Sequence, residues 1–109
     1  MEEQTARFGE AIIEFVKTLP SYPINNPLIN QIVRSGTSIG ANYMEADGAE
    51  SKKDFQHKIS ICKKESKETK HWLRMIAKAN PDKKNECRRL WGDQGLTLIF
   101  SSILRSKKK

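Results

Sequence analysis

The chain has 109 residues, with 20 Lys and Arg against 13 Asp and Glu, a formal net charge of +7 and only 7% aromatic residues. That size allows one domain with a modest core, and apolar runs of no more than three residues exclude a membrane span. The acidic start MEEQTARFGE has no apolar core and predicts no secretory leader, while Cys62 and Cys87, 25 positions apart and outside any CxxC or histidine pattern, argue against structural zinc and suit small buried side chains in a reducing cytoplasm.

The elements read as all-α. Phe8, Ile12, Phe15, Val16 and Leu19 share one face of a first helix over residues 5–19, which Glu2 and Glu3 precede near its positive end. Prolines 20, 23 and 27 punctuate the next segment, and Asn26-Pro27 reads as cap and first turn of a second helix over 27–46. Ile29, Ile32, Gly36, Ile39 and Tyr43 line its apolar face, where Gly36 and Gly40 sacrifice helix propensity and so imply close approach of another backbone. Arg34, Ser38, Asn42 and Glu45 fall on the opposite face.

Asp47-Gly48 ends that helix, and Ser51-Lys52-Lys53-Asp54 resembles a capping box opening a third helix over 52–79. Phe55, Ile59, Cys62, Ser66, Thr69, Leu73 and Ile76 repeat in alternating steps of four and three, a heptad seam with a small polar centre. Ser66 and Thr69 are expected to meet the glycine face of the second helix. Asn80-Pro81-Asp82 restarts the chain into a fourth helix over 82–106, followed by a basic tail, 107–109. Here Cys87, Leu90, Trp91, Gln94 and Leu98 form one stripe and Leu96, Ile99, Phe100, Ile103 and Leu104 another on nearly the opposite side. Burial on two sides implies a partner subunit, unless Gly92 and Gly95 bend the helix and realign the stripes.

Charge is unevenly placed: residues 1–50 carry 3 basic and 7 acidic side chains, residues 51–109 carry 17 and 6. Lys63, Lys67, Lys70, Arg74 and Lys78 lie within roughly 80° of one another on the third helix, flanked by Lys64 and His71 and roughly 110° from the seam. Like charges so close repel, a cost that phosphates would neutralise. This ridge, aided by Arg88, Arg89 and the terminal lysines, is the candidate nucleic-acid-binding surface; the alternative is a solvated lysine face. Ile61, Glu65, Glu68 and Trp72 make a further stripe, read as a contact between subunits, with the two carboxylates as ion-pair partners rather than an acid–base pair. His57 reads as a surface residue. No catalytic constellation, metal-ligand cluster or cofactor motif is present in the sequence.

The stretch RSGTSIGANYMEADGAESKKDF, residues 34–55, resembles the bacterial four-helix bundle proteins encoded in intervening sequences of 23S ribosomal RNA genes, the S23 proteins, and is similar to the Avd accessory proteins of diversity-generating retroelements. Arg34, Ser38, Ile39, Asn42, Glu45, Ser51, Asp54 and Phe55 fill the family pattern at the right spacing; Glu68 and Leu73 fit a later segment. Ala46 departs from a usual Gly, Ala49-Glu50 from an often basic pair, and Lys64-Glu65 from a frequent Gly-Ser. The resemblance implies an antiparallel up-down-up-down four-helix bundle, a ring-like homopentamer and no enzymatic activity. For Avd-like members it also implies nucleic-acid binding and contact with a reverse transcriptase. Two readings stand: a cytoplasmic homo-oligomer binding RNA or DNA nonspecifically through the third helix, or a protein-interaction scaffold. In the second, a partner docks on Arg34, Ser38, Asn42 and Glu45, unless those four groups form a polar network between helices or subunits.

Overall fold

The computed structural model describes residues 1–93 and 95–107. They form α1 (Glu2–Val16), α2 (Asn25–Asp47), α3 (Lys52–Ala79), a 3-10 turn (Pro81–Lys83), α4 (Lys84–Asp93) and α5 (Leu96–Lys107), with no strand among the described residues. This is an all-helical fold of four helices, the last in two pieces. No helix among the described residues is long and apolar enough to cross a membrane.

Helix ends differ from expectation for local reasons. α1 occupies 2–16 rather than 5–19: Thr5 N bonds back to Met1 O, and after Val16 the amides of Thr18 and Leu19 turn to the carbonyls of Phe15 and Val16. Those shorter bonds tighten the chain ahead of Pro20, which disfavours helical backbone at Leu19. Leu19 nevertheless remains in the core. α2 starts at Asn25, ahead of Pro27, because a proline within the first turn forfeits an amide that has no helical acceptor anyway. Asn26 is therefore not the cap. At α3, Ser51 Oγ accepts from Asp54 N at 3.0 Å and fixes the start.

α3 is 28 residues long, about 42 Å at 1.5 Å per residue, so it runs nearly the length of a molecule measuring 46 × 20 × 20 Å. Its seam is buried from Ile59 to Ile76, with Phe55 half-buried at the start. The seam's small centre does not meet the glycines of α2. Gly36 and Gly40 face α1, where an added methyl would stand 3.1 Å from Ile12 Cγ1 and 3.4 Å from Thr5 Oγ1, and one on Gly9 would stand 3.4 Å from Gly36 O. α2 is inserted between two helices, and the side it turns to α3 carries Ser35 and Ile39. Thr69 Oγ1 donates to Glu65 O and lies 2.8 Å from Ser35 Oγ, while Ser66 Oγ is 2.8 Å from Thr97 Oγ1 of α5.

Polar rungs fasten α2 to α3. Arg34 reaches across to Glu65, at 3.2 Å, and to Glu68, and Lys58 Nζ meets Glu45 at 3.0 Å. Ser38 and Asn42 do not bridge Arg34 to Glu45; each bonds a carbonyl one turn back, Arg34 O and Ser38 O. At the far end, Asn25 and Asn80 are buried and exchange reciprocal side-chain amide bonds of 3.0 and 2.9 Å. Asn25 also donates to Pro20 O, Asn80 to Ile76 O, and Tyr22 Oη to Ala79 O.

The fourth helix is not continuous over 82–106. Asn80 leads into the 3-10 turn, and the helical path breaks beside Gly95; Gln94, assigned above to the first stripe, lies outside the described residues. Beyond the break, Leu96 and Phe100 enter the same core as Cys87. Members of both stripes thus share one core within the chain. Leu98, 76% exposed, and Trp91 stay outside. Lys107 ends α5, and the rest of the tail lies outside the described residues.

Two substitutions test the packing. Gly36→Leu overfills the α1–α2 contact and lowers the unfolding free energy by about 1–3 kcal/mol in urea titration, whereas Gly92→Ala, where a methyl meets nothing within 4 Å, is neutral or gains up to about 1 kcal/mol. Arg34→Met leaves the buried Glu65 carboxylate with only Lys64, 3.9 Å away, for a cation, and costs about 1–3 kcal/mol. Adding Glu65→Leu to that variant recovers most of the loss.

Candidate nucleic-acid interface

α3 divides its circumference among three tasks. The seam faces inward, Glu65 and Glu68 lie on the α2 side under Arg34, and the basic residues lie on the side that borders α4 and α5. Lys67, Lys70, Arg74 and Lys78 are exposed and Lys63 is half-buried; Lys63 to Lys78 extend about 22 Å along the axis. Among the side chains described, which exclude that of Asp93, none of these five, nor Arg88 or Arg89, has an acidic partner. The positive potential of the ridge is therefore uncancelled, because the helix's own carboxylates are engaged elsewhere.

Three shallow grooves follow the ridge. Ser60, Lys63, Lys64, Lys67 and Leu104 line the first, of about 430 Å³, between α3 and α5. Lys70, Trp91, Gly92, Gly95, Thr97 and Leu98 line the second, of about 330 Å³, at the break between α4 and α5. The third, of about 240 Å³, has Leu73, Ala77 and Cys87 with Arg74, Lys84, Arg88 and Trp91 around it. Lys70 Nζ stands 4.7 Å over the Trp91 ring, a cation–π contact that joins the two helices.

Of the residues assigned to binding, Lys63, Lys64, Lys67, Lys70, Arg74 and Arg88 line these grooves. Lys78 and Arg89 are exposed but line none of them. Lys84 and Trp91 enter the site unannounced. Their signal in the sequence is the spacing of Lys84, Arg88 and Trp91 at i, i+4 and i+7, one face of a helix, although Trp91 also fits the apolar stripe of that helix. Ile61 and Trp72 are half-buried on the opposite flank, where Trp72 Nε1 donates to Glu68 at 3.4 Å and its ring meets His71 edge-on at 4.9 Å. That flank belongs to the Arg34–Glu65–Glu68 cluster and not to the ridge.

Chemically the surface offers cations and an indole. Burial pushes the thiols of Cys62 and Cys87 up to about 11, so neither is a thiolate nucleophile at neutral pH. Among the described residues no group of His, Cys, Asp and Glu could hold a metal ion. What the ridge can do is neutralise a run of phosphates.

No curated protein matches the chain. A solved structure is similar to it over 94% of this chain and 96% of that one, with a TM-score of 0.82 and 30% identity: a protein of unknown function from the S23 ribosomal protein family of Bacteroides thetaiotaomicron. Residues 2–93 match the family of 23S rRNA-intervening sequence proteins, from α1 to the end of α4. With the α2–α3 pairing built on the positions that carried the resemblance, the chain belongs to the 23S rRNA-intervening sequence protein family.

Proposed function

We propose that this protein is a non-enzymatic, cytoplasmic homo-oligomer, built as an antiparallel up-down-up-down bundle, that binds RNA or DNA without sequence preference through the basic side of α3. The observation that carries this reading is the row of cations from Lys63 to Lys78, unpaired and flanked by open grooves, on a helix whose carboxylates are tied to Arg34. Contacts that run in opposite sense support the antiparallel order: Thr5 and Gly9 lie against Gly40 and Gly36, Ser35 and Glu45 against Thr69 and Lys58, and Ser66 and Lys70 against Thr97 and Trp91.

Assembly has its own support. A groove of about 290 Å³ separates α1 from α4 and α5, lined by Phe8, Ala11, Leu90, Leu96 and Ile99 among others. Contact between copies would cover these apolar groups. The resemblance to S23 and Avd proteins favours five copies in a ring, which would repeat the ridge five times. It also favours a reverse transcriptase as a protein partner.

The triple variant Lys67→Glu, Lys70→Glu, Arg74→Glu tests the reading. It should retain the helical circular dichroism and sedimentation of the native protein yet fail to shift a labelled 30-nucleotide probe at about 0.1 M salt, where phosphate contacts still hold a basic protein. Native binding should weaken about 10³-fold between 50 and 200 mM salt if some six phosphates are contacted. A triple variant that binds as the native protein does would refute the ridge as the site and leave the scaffold reading.

A further inference from the structure

Phosphate neutralisation alone favours the duplex, whose charge density is the higher, but this surface holds more than charge. Trp91 is 37% exposed, and it is the one aromatic residue that borders two of the three grooves along the ridge. On one side Lys70 stands 4.7 Å over its ring. In the other groove the apolar groups of Leu73, Ala77 and Cys87 lie among Arg74, Lys84 and Arg88. An apolar lining beside an indole, with three cations around it, suits a flat aromatic group attached to anions.

Resting on the reading of the ridge as a nucleic-acid surface, we infer that the α3–α4 groove at Trp91 receives an unpaired nucleobase, so that the preferred ligand is single-stranded RNA or DNA. A base stacks on the indole, and Lys70, Arg74 and Arg88 take the phosphates on either side of it. Stacking of this kind tolerates any base, since each presents a π-face. Duplex bases are already stacked on one another and reach the ring only after unstacking, so a duplex meets the ridge through phosphates alone. The helix spacing is favourable: Lys67, Lys70, Arg74 and Lys78 succeed one another at about 4.5–6 Å along the axis, steps that an extended strand can follow.

The sequence holds two tryptophans, so Trp72→Phe leaves Trp91 as the only indole and its emission as the probe. Twelve-nucleotide oligouridylate and oligodeoxyuridylate, which share a base and differ in sugar, and a duplex of the same length, are titrated into this variant at low salt. Either single strand should quench Trp91 at saturation and bind more tightly than the duplex, and the difference between the two identifies the preferred sugar. In the native background, Trp91→Ala should weaken single-strand binding on the order of tenfold and leave duplex binding unchanged. Equal affinity for single strand and duplex with unquenched emission would overturn the inference. So would a Trp91→Ala variant that loses both ligands equally. These failures differ from failure of the ridge itself, in which the triple glutamate variant retains binding of both ligands, or in which the native protein binds neither and both readings fall.

Discussion

Like charges crowded on one helix coexist only where water or counter-ions reach them, and this constraint orients α3 and with it the whole bundle. The row from Lys63 to Lys78 cannot turn inward. Its exposure places the seam toward the core and leaves Glu65 and Glu68 on the flank that α2 covers, where Arg34 meets them. Arg34 is the counterpart of the same constraint: Glu65, only 5% exposed, needs a cation close by, and α2 supplies it. Glu65 and Glu68 are thereby set apart from the row of Lys63 to Lys78. The flank with Glu65 and Glu68 ties α3 to α2, and the basic row stays at the surface.

Much of the fold was legible because periodicity reports directly on which residues face inward. The heptad spacing of Ile59, Cys62, Ser66, Thr69, Leu73 and Ile76 names the buried line of α3, and all six are buried. Which neighbour meets that line is a different kind of information. Glycines announce close approach but not the identity of what approaches, so Gly36 and Gly40 were matched to α3 when Ile12 and Thr5 of α1 fill the space. The break beside Gly95 was one of two ways to reconcile two apolar stripes, and only coordinates distinguish a broken helix from a continuous one buried on both sides.

The candidate site shows the same division. Five of its cations lie on one helix and were found by counting. Lys84 and Trp91 reach the ridge from α4, and their arrival depends on the path through Asn80 and the 3-10 turn, which sets how α4 returns along α3. A contact between helices is invisible to the periodicity of either one. The pattern in residues 34–55 is legible for the opposite reason: Arg34, Ser38, Asn42, Glu45 and Ser51 act within one helical hairpin, as ion pairs, back-bonds and a cap. Short sequence separation keeps their spacing strict.

The buried pair of Asn25 and Asn80 has a consequence for alignment. Seam positions of similar size would tolerate a helix displaced by one turn, about 5.4 Å, since apolar contacts are nearly indifferent to which partner they find. Two carboxamides that donate to and accept from each other are not indifferent. Displacement by a turn would strand both amides away from water against apolar neighbours. The pair therefore acts as an index mark between α2 and α3, selecting one longitudinal setting from several that the core alone would accept, and every cation on α3 inherits its height from that setting.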